Sequence, residues 1–280
     1  MTDQAYICDD SVSCPITATD SVTDSCRDFR EKLEFLSEYT AWLWGCGATC
    51  IRIDKNLTRM SRAFGIEVDV TVMPRHVELY AHSPQGNAEM PVVIRQASRC
   101  GINFTINTLL SRLSWEVADG KLDYDQAVRR FHEIISTPRT APNEVWLLAS
   151  MANAAFCRLF GGDLIAIAVV FVSTLAGFKL KQIMAAHKRD ARVIFLCCAF
   201  VSSMLCAGAH FFHWGTTPEI ALGTSVLYLI PGVPYINAVS DLIASRYLCA
   251  FSRFVDALVL TACLSVGLCA GMYLLGLRVI

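Results

Sequence analysis

Charge is what this chain has least of: Asp, Glu, Lys and Arg make up 18% of its 280 residues, where a soluble domain carries about a quarter. With 54% hydrophobic residues and a mean hydropathy of +0.43, that shortage points to a membrane protein. Other absences narrow the function. No basic stripe with interleaved aromatics is present, which excludes a nucleic-acid partner. No Walker lysine follows Gly45 and Gly47, which excludes a phosphate loop of that type. No Ser/His/Asp or Cys/His arrangement is defensible, so no catalytic residue is assigned and no cofactor is required. Residues 1–26 lack an apolar signal and are rich in Ser, Thr and Asp; a disordered lead-in is expected there.

Cysteine is plentiful, at 13 residues, but paired spacing is missing. Cys157, Cys197, Cys198, Cys206, Cys263 and Cys269 fall in apolar runs, where cysteine behaves as a small hydrophobe. All are read as reduced. Cys46, Cys50, His76 and His82 fit no zinc spacing, and no metal is expected.

The net charge of −1 hides an asymmetry: residues 1–144 hold 15 basic and 20 acidic side chains, residues 145–280 hold 9 and 5. The acidic half patterns as a small α+β domain, residues 27–140. Phe29, Leu33, Leu36, Thr40 and Leu43 recur at helical spacing, as do Ile53, Leu57, Met60 and Phe64 in a helix over 48–64. Alternation over 66–74, 76–84 and 90–98 predicts three strands, with a turn at "SPQGN". Helices over 103–119 and 124–136 follow, the latter capped by Asp123 with Gln126 reaching back. The order is ααβββαα, and "STPRTAPNE" (136–144) links it onward.

Five apolar segments come next, near 145–160, 163–179, 193–212, 218–238 and 255–277. The last three contain uncharged stretches of 17, 21 and 21 residues, near the ~20 needed to cross a bilayer. The first is the weakest. With the N-terminal domain inside, the inner loops carry Lys179, Lys181, Lys188, Arg189, Arg192, Arg246 and Arg253, and the outside only Arg158 and Arg278. That is a positive-inside pattern. The expected fold is an α-helical multi-pass membrane protein, five spans, N-in and C-out, behind a cytoplasmic α+β domain.

One stretch is out of place in such a protein: "YLIPGVPYINAVSDL". Irregular backbone at membrane depth persists only where it is buried in protein or lines a wet cavity, and transporters aim such broken helices at substrate. Pro231, Gly232 and Pro234 form the expected break; Asn237 and Asp241, four apart, share one face of the helix that resumes. Asn237 suits a carboxylate, and Asp241 an amine or a proton. The plainer alternative is a proline kink with Asp241 beyond the membrane, capping toward Arg246. Asn153 either faces a pathway or bonds a neighbouring helix. Asp163 reads as a solvated turn. Asp256 either carries protons or pairs with Arg253. His210 and His213, with Trp214, fit an interfacial belt. In "WGCGATCIRID", Gly45 and Gly47 break one helix and Ala48 starts the next, as a helix–helix turn or as an anion seat at a helix N-terminus.

Together these stretches resemble the threonine/serine exporter family over about residues 30–277. "GCGATCIRIDKNLTRMSRAFGI" is similar to its Gly-Ala opening and Arg-hydrophobic-acid step, here Arg52-Ile53-Asp54. "IRQASRCGINFTINTLLSRLSWEVADGKLDYDQAVRRFHEIISTP" resembles its basic, Gly-Ile-Asn and helical section at Arg99, Gly101, Ile102, Asn103, Leu122, Ala127 and Ile134. "LYLIPGVPYINAVSDLIASRYLCAFSR" resembles its Pro-Gly-x-x-x-x-Asn-x-x-x-Asp segment. Where the family commonly has an acid after Gly-Ala, this chain has Thr49 and Cys50; if that acid served substrate or protons, this protein differs there, and if it capped a helix, Thr49 replaces it at little cost.

The resemblance implies a secondary exporter of the bacterial plasma membrane, usually regarded as proton-driven, with Asp241 as the coupling residue. The chain's length matches the larger subunit of the split form, whose partner is a small all-membrane subunit; some such pairs are associated with succinate rather than threonine. A homo-oligomer is left open. Two other classes remain: a membrane-tethered enzyme with a hydrolase-like domain over 27–136, and a membrane-anchored scaffold. The Pro-Gly break speaks against the scaffold, since an anchor gains nothing from a broken helix.

Overall fold

The computed structural model describes residues 20–82, 92–96, 100–138, 140–211 and 215–274. Of the disordered lead-in expected over 1–26, residues 1–19 lie outside the described residues, as do the "SPQGN" turn, Arg99, His213, Trp214 and Arg278, while residues 20–26 are not a lead-in but the start of the first helix. The chain is mostly helical, with one small sheet near its N-terminus, and forms two compact units. The first comprises residues up to Pro138 together with Ile236–Arg253; the second comprises Arg139–Tyr235 and the residues from Phe254 onward.

The first unit begins with α1 (Asp20–Gly45) and α2 (Cys50–Ala63), followed by β1 (Glu67–Val72), β2 (His76–His82) and β3 (Val92–Gln96), then α3 (Phe104–Ala118) and α4 (Tyr124–Ile135). The sheet is an antiparallel meander in which Val72 pairs with Val77 and Leu79 with Val93. Period-two alternation puts Val77, Leu79 and Ala81 on one fully buried face. Against it pack Leu33, Leu36 and Leu43 of α1, Ile53, Leu57 and Met60 of α2, Leu110 and Leu113 of α3, and Phe131 of α4. These are the apolar stripes of period 3.6. Phe35 stands edge-on to Phe131 and Tyr124, at 5.5 and 5.8 Å between ring centres, an arrangement aromatic quadrupoles favour.

The caps follow sequence. Asp123 accepts from the Gln126 N–H at 2.8 Å while the Gln126 side chain accepts from the Asp123 N–H at 3.1 Å, a complete capping box on α4. Asn103 caps α3 through the Ile106 N–H. Asp123→Ala is therefore expected to cost about 1 kcal/mol, read as a lower thermal midpoint.

The second unit holds α5 (Pro142–Leu159), α6 (Leu164–Ala186), α7 (Ala191–Phe211), α8 (Pro218–Thr224), a 3-10 turn (Leu227–Leu229), the first residues of α9 (Gly232–Ile243) and the C-terminal part of α10 (Tyr247–Leu274). Among the described residues α6, residues Ala191–Gly208 of α7, and α10 are long and apolar enough to cross a membrane; α8 with α9, bent by 62° at the Pro231-Gly232 break, makes a fourth if counted as one span. The weakest expected segment, α5, is not among them: Pro142, Asn143, Glu144, Asn153 and Arg158 dilute it. Two boundaries differ from the sequence reading. Lys179 and Lys181 belong to the last turns of α6, not to a loop. Lys179 lies over the Trp146 ring and Lys181 over Phe178 and Phe195, so aromatic faces and long aliphatic stems let a helix of 23 residues carry its cations past the apolar depth. The last apolar helix starts at Tyr247 rather than near 255, which puts Arg253 inside it.

Several polar groups inside this unit are paired. Asn153 is buried and donates to Thr174 Oγ1 at 2.7 Å and to the Thr224 carbonyl at 3.1 Å; Ser202 and Tyr228 hydroxyls meet at 2.9 Å. Asp163 caps α6, and the N–H groups of Thr216 and Ala166 hold its carboxyl below the ordinary value.

Candidate functional site

The Gly-rich stretch ends α1 with a glycine in the left-handed region. Gly47 has φ +86°; its N–H donates to the Trp44 carbonyl at 3.0 Å and the Ala48 N–H to the Leu43 carbonyl at 3.1 Å. This pair of bonds is the Schellman arrangement, and it needs a residue without Cβ strain. Gly45 is the last residue of α1, and Thr49 is the N-cap of α2, its hydroxyl facing the Arg52 N–H at 3.4 Å. So α2 begins at Cys50, two residues later than expected, because extended backbone at Thr49 makes it the cap. A Cβ on Gly47 would also lie 3.2 Å from Ile102 Cγ1. Gly47→Ala is expected to lower stability by roughly 1–2 kcal/mol, measured as a shift in unfolding midpoint.

Two separate segments hold this turn. The first is "CGIN": Ile102 covers Gly47, the Asn103 N–H donates to the Cys46 carbonyl at 3.1 Å, and the Cys100 and Cys46 thiols are in contact at 2.9 Å. The second is Ile236–Arg253. Asn237 Nδ2 donates to the Gly47 carbonyl at 2.9 Å. Asp241 is wholly buried, and its Oδ1 accepts from the Cys50 N–H at 2.8 Å. Its Oδ2 lies 3.0 Å from Arg253 Nη1, an ion pair whose alignment falls short of a hydrogen bond. Arg253 Nη2 donates to the Ala48 carbonyl at 2.7 Å, and its guanidinium carbon sits 4.0 Å from the centre of the Trp44 ring. Cys249 donates to the Val72 carbonyl, tying α10 to β1.

Electrostatically this is an anion seat filled by the protein's own carboxylate. The first N–H of a helix carries a partial positive charge, the guanidinium adds a full one, and Asp241 answers both. Cys50 is beside it, and its thiol is pushed up by the hydrogen bond it donates to Cys249, by burial and by the Asp241 carboxylate, so it stays protonated at neutral pH.

Of the residues singled out from sequence, the structure brings together Gly45, Gly47, Thr49, Asn237 and Asp241. Arg52 is in the first turn of α2, and its side chain donates to Asn107 Oδ1 at 3.0 Å. Asp54 is exposed, lining an open groove with Lys55, Thr58, Arg59 and Arg62. Pro231, Gly232 and Pro234 form the bend at the start of α9, and Asn153 bonds neighbouring helices of the second unit. Asp256 is exposed. Arg253, the alternative partner considered for Asp256, pairs with Asp241, and Asp241 does not cap toward Arg246 with its side chain. Arg253 and Trp44 were missed. The signal for Arg253 was present: a lone cation early in an apolar helix must find a partner.

The family described as "Putative threonine/serine exporter" matches residues 34–275, a range that contains the Gly-rich turn, "CGIN" and the Pro-Gly to Arg253 segment alike. Two curated relatives, both named "Probable succinate transporter subunit YjjP", come from Klebsiella aerogenes and Escherichia coli K12. Each is 27% identical over 236 and 240 residues respectively, covering 83% of this chain and 89% and 90% of the relative. No solved structure matches. Because the match takes in nearly every described element and each segment that meets at Asp241, the chain belongs to the threonine/serine exporter family.

Proposed function

We propose that this chain is the larger subunit of a two-component secondary exporter that moves small carboxylate metabolites, threonine/serine or succinate-like dicarboxylates, out of a bacterial cell across its plasma membrane. The observation that carries the reading is the wholly buried Asp241, seated between the α2 N-terminus and Arg253 on the helix that follows the Pro231-Gly232 break. A buried ionisable group beside a broken apolar helix is costly unless it does work. Family membership supports a transporter rather than a hydrolase-like enzyme, and the relatives named as subunits support a partner.

In this reading α5, α6, α7, the bent α8–α9 pair and α10 are five spans, N-in and C-out, with residues 27–140 cytoplasmic. Lys188, Arg189 and Arg192 near the α6–α7 connection and Arg246 before α10 support that orientation. An odd number of spans fits a half-transporter, and the exposed apolar side chains Leu148, Phe156 and Leu159 of α5 suit a small all-membrane subunit or lipid. Asp241 carries the coupling proton, with exposed Asp256 as the second acid. Pro231, Gly232 and Pro234 break the span, and Asn237 and Asn153 provide polar contacts.

The test is efflux from vesicles containing both subunits under an imposed pH gradient. Asp241→Asn is expected to lower proton-coupled efflux about a hundredfold, the equivalent of roughly 2.7 kcal/mol on a barrier, in a chain that still inserts. Efflux at the unaltered rate would remove Asp241 from the coupling step.

A further inference from the structure

We propose that the groove between α2 and α3 is a binding site for a phosphate-bearing ligand, whose phosphate is held by Lys55, Arg59 and Arg62 together with the Thr58 hydroxyl. The inference goes beyond the exporter reading: it concerns the first unit alone and uses none of the residues given a transport role.

The sequence puts four cations on one side of α2. Arg52, Lys55, Arg59 and Arg62 are spaced three, four and three apart, which confines them to an arc of about 80° at 3.6 residues per turn. The half of the chain that contains them is acidic, with 15 basic and 20 acidic side chains over residues 1–144. Elsewhere in it Arg27, Arg30, Lys32, Arg112, Lys121 and Arg130 each meet a carboxylate within 3.4 Å. Among the described residues, none of the four cations on α2 does.

A charged helix face with no acid opposite is usually just solvated, and two observations set this one apart. It is hollow: α2 and α3 leave a groove of about 660 Å³, lined by Lys55, Thr58, Arg59 and Arg62 and by Ala63 and Ala118, whose short side chains leave the space open. That size is typical of small-ligand sites. And Arg59 is fixed. Its guanidinium carbon lies 3.6 Å from the centre of the Trp115 ring, and Nη1 donates to Asn56 Oδ1 at 3.0 Å and to Ser114 Oγ. Asn56 is itself held, donating to Ser111 Oγ at 3.0 Å. Nε and Nη2 of Arg59 have no protein acceptor among the described residues. The rotamer entropy that weakens most surface charge contacts is therefore already lost in the folded chain. The helix dipole accounts for Arg62, in the last turn of α2, but not for Lys55 or Arg59.

Three cations beside one hydroxyl suit more than a single negative charge. One guanidinium satisfies a carboxylate, whereas a terminal phosphate carries close to two charges on oxygens that point in several directions. The fork of Arg59 matches two of those oxygens, and Lys55 and Arg62 supply charge to the rest. Asp54 also lines the groove; it leaves two net positive charges there and offers an acceptor to a hydroxyl or amine of the same ligand. A soluble phosphorylated metabolite and the headgroup of an anionic lipid present the same group, and the chemistry recognised is common to both.

The test is calorimetric titration of the full chain in non-ionic detergent, at constant ionic strength and without divalent metal. The probes are inorganic pyrophosphate and dihexanoyl phosphatidic acid, with dihexanoyl phosphatidylcholine as the zwitterionic control. Wild-type protein is expected to bind pyrophosphate, phosphatidic acid or both with a Kd below about 0.5 mM; phosphatidic acid that binds no better than phosphatidylcholine counts as unbound. Lys55→Gln combined with Arg62→Gln changes two exposed side chains and is expected to weaken that binding at least about tenfold, through the loss of two charge-assisted contacts. Arg130→Gln removes a cation paired with Glu133 on α4; it is expected to leave the binding unchanged and so separates loss of the site from loss of net charge. Binding of pyrophosphate alone assigns the site to a soluble ligand, of phosphatidic acid alone to a lipid headgroup, and of both to the phosphate group itself. Binding of neither probe, or binding that the double variant weakens no more than Arg130→Gln does, overturns the inference and leaves the exporter reading standing.

Discussion

Arg253→Met is expected to cost about 3–5 kcal/mol of stability, the usual loss when one partner of a buried ion pair is removed. The substitution keeps a long apolar stem over Trp44, so most packing survives. What it loses is the charge facing Asp241, a residue with no exposed surface, and the donor to the Ala48 carbonyl. A carboxylate stranded there is far costlier than a neutral group. One consequence checks the cause: adding Asp241→Asn to Arg253→Met should recover most of the loss, since the amide still accepts from the Cys50 N–H. Unfolding midpoints of the detergent-solubilised chains decide it: a double variant no more stable than Arg253→Met alone would mean the arginine acts through packing.

Gly267→Leu is the second substitution with a large expected effect, about 3 kcal/mol or more, at the upper end for overpacking. Gly267 and Gly271 lie one turn apart on α10 and face α7. A Cβ on Gly267 would collide with the Leu196 carbonyl and lie 3.0 Å from Ala199 Cβ; one on Gly271 would collide with the Ser203 hydroxyl and lie 3.0 Å from the Phe200 carbonyl. Within a bilayer, apolar side chains gain nothing by leaving lipid, so two helices associate through close backbone approach at small residues. A leucine there forces α10 away from α7 and opens the contact between Leu264 and the Ile194, Cys198 and Ala199 cluster. Gly208 is the control: a Cβ built on it meets nothing within 4 Å, and Gly208→Ala should be neutral or slightly stabilising. Both are read from thermal midpoints and from the amount of inserted protein; equal behaviour of the two would show that the α7–α10 crossing is not close.

Local periodicity made much of the first unit legible. Leu33, Leu36 and Leu43, or Val77 and Leu79, point inward because spacing of 3.6 or 2 leaves them no other face. Asp123 and Gln126 announced a capping box three residues apart. The Gly45–Thr49 stretch was legible as a break between helices, and its alternative as an anion seat also had substance, since the anion is Asp241. What spacing does not encode is which distant groups meet: Cys50 and Asp241 are 191 residues apart. Arg253 was hidden for a related reason. Counted as a loop charge, it looked like part of the positive-inside pattern, whereas a helix starting at Tyr247 carries it to the Gly-rich turn. The lysines of α6 were misplaced likewise, because hydropathy ends a span where charge begins, and a helix continues while its stems are covered. The Gly267–Gly271 pair was visible in sequence, but a small-residue pair shows its meaning only once a partner helix faces it.

The most direct measurement is efflux of labelled succinate and labelled threonine from proteoliposomes under an imposed pH gradient, with this chain alone and then with a small all-membrane subunit of the same family. The account predicts efflux of one of the two labels, driven by the gradient, and only when both subunits are present. No efflux of either label despite confirmed insertion of both chains would contradict it.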